Sequence, residues 1–178
     1  MRKKIIIGVV LLLLIAIGIF IYFNVGIETE YTPEPEIEET EYRNTIVSLY
    51  FPNKETKELQ IETRLLDSKE LLDNPYNKLI TLLLEGANSE KLESAIPSET
   101  TLIGTTIENN CLTVNLSKEF IERQEGDVVA KINSIYSIVN TVTELKEVSS
   151  VKIVIDGQEN KGFEADGIKF DNVFVRTN

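Results

Sequence analysis

Histidine and tryptophan are absent from this chain of 178 residues, and cysteine occurs once, at Cys111. Lack of histidine removes the commonest general base and the commonest transition-metal ligand, so Cys–His pairs, Ser–His triads and a plausible zinc site are excluded. A single cysteine cannot build a disulfide framework within one chain, and Cys111 reads as a small buried hydrophobe or a free thiol. Basic charge is scarce as well: 18 Lys+Arg stand against 29 Asp+Glu, a net −11. Nucleic acid and anionic lipid headgroups would meet like charge, so neither is an expected partner of the exported part.

Carboxylates are what remains for chemistry. Paired acids can hydrolyse glycosidic bonds. Here they fall mostly in a linker, in turns and on polar strand faces, and at 7% aromatics the chain is poor in platforms for sugar rings. No glycine-rich phosphate loop occurs, and Asp156-Gly157-Gln158-Glu159-Asn160 lacks the spacing of an EF-hand loop, so its acids mark a turn. Asn115-Leu116-Ser117 matches the N-glycosylation pattern but sits in an expected strand. Arg64, beside Glu62 on what reads as the polar face of its strand, suits a solvated cross-strand ion pair better than recognition of an acidic partner. The sequence thus assigns no catalytic, no cofactor-binding and no metal residue, and it reads as no enzyme.

One long apolar run is present. Ile5 to Phe23 holds 19 residues without a charge or proline, preceded by Arg2, Lys3 and Lys4. At about 1.5 Å per residue a helix over it is roughly 28 Å long, close to the ~30 Å hydrocarbon core of a bilayer. A cleaved signal peptide normally has a shorter apolar region ending in small residues. This run ends in Ile19-Phe20-Ile21-Tyr22-Phe23-Asn24-Val25-Gly26, and no cysteine follows it to carry a lipid. The expectation is a retained single-pass cell-membrane anchor over 1–25, with the N-terminus cytoplasmic because the basic residues precede the run. Residues 26–43, with seven Glu, two Pro and one basic residue, read as an acidic disordered linker.

Residues 44–178 read as one extracytoplasmic domain carrying −8, from 22 acidic and 14 basic residues. Val47, Leu49 and Phe51 alternate in one expected strand and Leu59, Ile61 and Leu65 in the next, each row marking a buried face. Asn74 as N-cap, Pro75 at the first helical position and Gly86 past the end bound a helix whose Tyr76, Leu79, Ile80, Leu83 and Leu84 share a face. A hairpin follows, Thr101 to Ile107 and Cys111 to Leu116, turning at Asn109-Asn110. The second helix, from about Asp127 to Leu145, aligns Val128, Ile132, Ile135, Val139 and Val142. Val151, Ile153 and Ile155 then form a strand, and Phe163 to Phe170 a small hairpin about Asp-Gly. The order ββα-ββα-β with one-sided strands predicts an α+β two-layer sandwich behind an N-terminal transmembrane helix.

Several segments, in order, resemble the GerM family of sporulation and germination domains. They are Leu49-Tyr50-Phe51-Pro52 with Thr63-Arg64, Leu82-Leu83-Leu84-Glu85-Gly86, Ala95-Ile96-Pro97, Val114-Asn115-Leu116-Ser117, Ile138-Val139-Asn140-Thr141-Val142-Thr143 and Val154-Ile155-Asp156-Gly157. The resemblance implies a non-catalytic, extracytoplasmic assembly module of the bacterial cell envelope, related in fold to ring-building motifs. Its expected partners are other envelope proteins or the chain itself, in a weak oligomer. The alternative is a ligand-binding module for cell-wall glycan or a small solute, presented on a stalk. On the anchor reading, protein recovered from membranes keeps the residues ahead of Ile5. Terminal sequencing checks this, and a mature N-terminus between Gly26 and Arg43 contradicts it.

Overall fold

The computed structural model describes residues 2–24 and 44–177. The linker expected over 26–43 lies outside the described residues. The chain forms two compact units, Met1–Glu41 and Tyr42–Asn178. In the first, α1 (Arg2–Asn24) is a continuous helix, and its stretch Ile6–Phe23 is long and apolar enough to cross a membrane. A membrane anchor and a signal sequence both satisfy that description.

The second unit opens with an antiparallel pair, β1 (Asn44–Pro52) and β2 (Leu59–Asp67), in register from Asn44↔Asp67 to Pro52↔Leu59. Asn53 organises the turn, its Oδ1 accepting from the N–H of Glu55 and of Thr56. Helix α2 (Pro75–Leu84) begins as the sequence requires: Asn74 Oδ1 accepts from Asn77 N–H at 2.8 Å, and proline takes the first position, where no N–H is needed. It stops at Gly86, whose φ of +89° is left-handed and where a Cβ would collide with Ser94 Oγ.

Next come β3 (Leu102–Glu108) and β4 (Cys111–Leu116), joined through Asn109 and Asn110 with φ of 49° and 63°. Two positive-φ residues match the twist of a tight hairpin, and asparagine tolerates them. A short helix α3 (Glu119–Glu122) leads to α4 (Val128–Val142), capped by Asp127 Oδ1 on Ala130 N–H. The chain returns as β5 (Ser150–Ile155), parallel to β4. The sheet order is therefore β3-β4-β5 with α4 as crossover. Strands β6 (Gly162–Phe163) and β7 (Ile168–Lys169) make the small hairpin expected near Asp166-Gly167.

Rows on one face of the sheet are fully buried: Leu112, Val114 and Leu116 on β4, and Val151, Ile153 and Ile155 on β5. Thr105 of β3, level with Val114, bonds Asn77 of α2 at 2.8 Å, which places α2 over that face. Both helices cover the sheet there as a second layer, and Val47, Leu49 and Phe51 of β1 join the same core. An aromatic group, Phe120, Phe163, Phe170 and Phe174, fills the remaining flank. The C-terminal tail reaches back to β5 through reciprocal bonds between Val151 and Phe174.

Two readings of apolar rows need correction. On α4, Ile135, Val139 and Val142 are buried as expected, whereas Val128 and Ile132 are exposed, because burial along the helix begins only near Ser134. On β2 the faces are reversed: Ile61 and Leu65 are 54% and 64% exposed, while Glu62, Arg64 and Leu66 point inward. Antiparallel pairing forces this, since Leu49 inside sets Glu62 opposite it and Val47 sets Arg64.

Helix α4 also solves a problem at the rim of β1. The Tyr50 N–H donates to Thr141 Oγ1 at 3.0 Å, and Ser137 Oγ donates to the Tyr50 carbonyl. Two buried hydroxyls one turn apart thus occupy the place of a third strand. Above them the Tyr50 hydroxyl donates to Glu144 Oε1 at 2.7 Å, and Arg176 from the C-terminal tail pairs with the same carboxylate. Burial, together with the Glu144 carboxylate, pushes the Tyr50 hydroxyl above its usual range. Replacing Thr141 by Val keeps the volume but strands a buried amide, so chemical denaturation of residues 44–178 should show a loss of about 1–3 kcal/mol. A change within a few tenths of a kcal/mol would mean that the bond to Thr141 is dispensable.

Candidate functional site

The inward charges on β2 form a tight construction. Arg64 Nε and Nη2 both donate to Glu62 Oε1, at 2.9 and 2.8 Å, and each side chain is only 10% exposed. The guanidinium goes on to the C-terminal end of α2, donating to Leu82 O at 3.2 Å and to Gly86 O. Those carbonyls have no partner within the helix and lie at the negative end of its dipole, where a cation is favoured. Its flat face lies over the Phe51 ring, 5.7 Å from the centroid. Glu62 Oε2 in turn accepts from Asn88 N–H and Ser89 N–H, both at 2.9 Å.

Sequence reading placed Arg64 on a solvated face; the structure makes it an internal clamp, paired along its own strand rather than across strands. The available signal was Leu66, which shares its parity with Glu62 and Arg64. The neighbouring Leu65 made the pattern ambiguous. With these charges inside, Ile46, Ile61 and Leu65 are exposed on the outer face of the hairpin, Ile46 standing opposite Leu65 and Ile61 lying beyond Thr63. Exposed apolar side chains gathered on one sheet face suit contact with another protein. This face is the candidate functional surface.

The other residues weighed in the sequence are accounted for by structure. Cys111 is half-buried at the start of β4. Asn115 lies in β4 and its Oδ1 accepts from Gly157 N–H at 2.9 Å, tying the Asp156-Gly157 turn to the sheet. Among the described residues no cluster of three or more Cys, Asp or Glu is placed to hold a metal ion. A cleft of about 510 Å³ lies between α3, α4 and the β6 region, lined in part by Lys118, Ile121, Lys131, Asp156 and Phe163. Two ion pairs lie in its lining, Lys131 with Asp166 and Lys118 with Glu122.

Comparison with known proteins agrees with this fold. The family model described as Germane, sporulation and spore germination, matches residues 48–161, more than half of the chain. Three solved structures are similar. The first GerMN domain of the sporulation protein GerM from Bacillus subtilis is 18% identical with a TM-score of 0.62, over 74% of this chain and 98% of that one. The tandem GerMN domains of the same protein give 18% and 0.60, over 75% of this chain and 46% of that one. A protein described as a lipoprotein of Clostridium perfringens gives 22% and 0.52, over 74% and 87%. Identities this low show the fold alone. No curated protein sequence matches the chain.

The clamp has a pH signature. Burial alone would raise the Glu62 carboxyl, but the Ser89 N–H, the Arg64 guanidinium and the Asn88 N–H outweigh it and hold it below its ordinary value of 4.5. A depressed carboxylate stabilises the fold fully above the unfolded value and loses that contribution as pH falls through the folded one. Glu62→Gln should therefore flatten the loss of stability below about pH 4.5. At neutral pH it should cost about 3 kcal/mol, because Arg64 stays buried without its counter-charge. Denaturation curves at pH 7 and pH 4 test both statements, and an unchanged acid slope contradicts them.

Proposed function

The chain belongs to the Germane family of sporulation and spore germination domains, and from that premise we propose that it is a membrane-anchored, non-catalytic assembly module of the bacterial cell envelope. In this reading α1 is retained as a single-pass anchor, its N-terminus cytoplasmic and the domain outside. Sporulation or germination is the setting the family suggests. The observation that carries the proposal is the exposed apolar set Ile46, Ile61 and Leu65, displayed on a hairpin whose Glu62 and Arg64 are turned into the core. Exposed apolar side chains on a sheet face suit contact with another protein. The retained helix would confine many copies to one surface and raise their local concentration, so weak contacts suffice.

A second reading, a ligand-binding module for cell-wall glycan or a small solute, is favoured by the cleft of about 510 Å³. Four of the charged side chains lining it are already engaged in the Lys131–Asp166 and Lys118–Glu122 pairs. Assembly is the better supported of the two.

The test is photo-crosslinking in intact cells from a probe replacing Ile61, with a probe at the exposed Lys169 as control. Adducts with this chain or another envelope protein from position 61, and not from 169, are expected. Absence of adducts from position 61, together with saturable binding of a solute or glycan fragment by the purified protein, would favour the second reading.

A further inference from the structure

We propose that β2 is a self-pairing edge, joining antiparallel to β2 of a second copy of this chain about a two-fold axis at Thr63. The inference rests on the assembly reading and names the partner and the register. The β1–β2 sheet has two rims. That of β1 is occupied, because Tyr50 directs its N–H to Thr141 and its carbonyl to Ser137. Tyr50 therefore points its backbone away from β2, which makes Tyr50↔Ile61 a non-hydrogen-bonded pair. By the alternation of an antiparallel ladder, Ile61, Thr63 and Leu65 then direct their N–H and C=O groups outward from the far rim. Among the described residues none of these groups has a recorded backbone partner. All three side chains are exposed, and the strand from Leu59 to Asp67 has no proline or lysine; its inward charges, Glu62 and Arg64, guard it only against registers that set like charges opposite.

An open rim alone names no partner; the sequence along it does. Read outward from Thr63, Gln60-Ile61-Glu62-Thr63-Arg64-Leu65-Leu66 is self-complementary. In an antiparallel pair centred on Thr63, Ile61 faces Leu65 of the second copy and Leu65 faces its Ile61. Glu62 faces the second copy's Arg64, and Arg64 its Glu62. Thr63 meets itself. The outward backbone groups belong to Ile61, Thr63 and Leu65, so these pairings are the hydrogen-bonded ones and the parity is correct.

Neighbouring registers fail. Centring on Glu62 or on Arg64 sets two like charges directly opposite. Centring on Ile61 or Leu65 shortens the overlap. The Thr63 register alone engages the whole of β2, Leu59 to Asp67, and opposes no like charges. It also brings the two exposed apolar sets onto one face of a four-stranded sheet, β1-β2-β2-β1. Such an isologous contact closes on itself at two copies.

The test uses the full-length chain in lipid vesicles with Cys111→Ser as background. In a hydrogen-bonded antiparallel pair the facing Cα atoms are about 5.5 Å apart, within disulfide reach. Under mild oxidation Thr63→Cys should give roughly tenfold more linked dimer than Thr106→Cys on the edge strand β3, because a fixed geometry raises the effective concentration of the two thiols. A mixture of Ile61→Cys and Leu65→Cys chains should link to each other in preference to either linking to itself. Equal or greater linking through Thr106→Cys, or self-linking of the Ile61→Cys chain above the mixed product, overturns this pairing and leaves assembly through another surface. No linked product from any variant, with no adduct from position 61 in cells, overturns the pairing and the assembly reading together.

Discussion

The inward ion pair of Glu62 and Arg64 is the contact on which the rest of the domain turns. A buried pair is expensive to desolvate, and it persists here because both charged groups have further hydrogen-bond partners. The guanidinium satisfies carbonyls at the end of α2, and the carboxylate holds two amides of the following loop. One pair thus fixes the spacing between the first hairpin and the first helix. It also makes tolerable the facing that pairing with β1 imposes on β2, with the charges inside and Ile61 and Leu65 outside.

The same hairpin shows two treatments of a sheet edge. At β1 the backbone of Tyr50 is satisfied by hydroxyls from α4, so the edge is consumed within the domain. Pro52, at the end of that strand, has no N–H to place, and its carbonyl takes the N–H of Glu93. At β2 neither device is present. The asymmetry directs further strand pairing of this hairpin to its β2 side.

Acidity bears on both. A domain carrying −8 repels its own copies at long range, a repulsion screened within about 8 Å at physiological salt. Contact then depends on local complementarity and on tethering rather than on general stickiness. Membership of the family matched over residues 48–161 accounts for the framework of strands and helices.

Local chemistry made much of this legible. Asn74-Pro75, Gly86, Asn109-Asn110 and Asp156-Gly157 each demand one backbone geometry, so helix bounds and turns could be read directly, and the alternating rows of β4 and β5 could face only the core. The apolar run ahead of Asn24 likewise set the helix α1 by composition alone. Tertiary structure decided what local pattern leaves degenerate. Leu65 and Leu66 are adjacent and equally apolar, so only pairing with Leu49 and Val47 could choose the face of β2. Ser137 and Thr141 look like interruptions of an apolar helix until β1 lies beside them. A side chain's type states what it needs, but which neighbour supplies it is settled by residues distant in sequence, and there the face and the free edge of β2 were fixed.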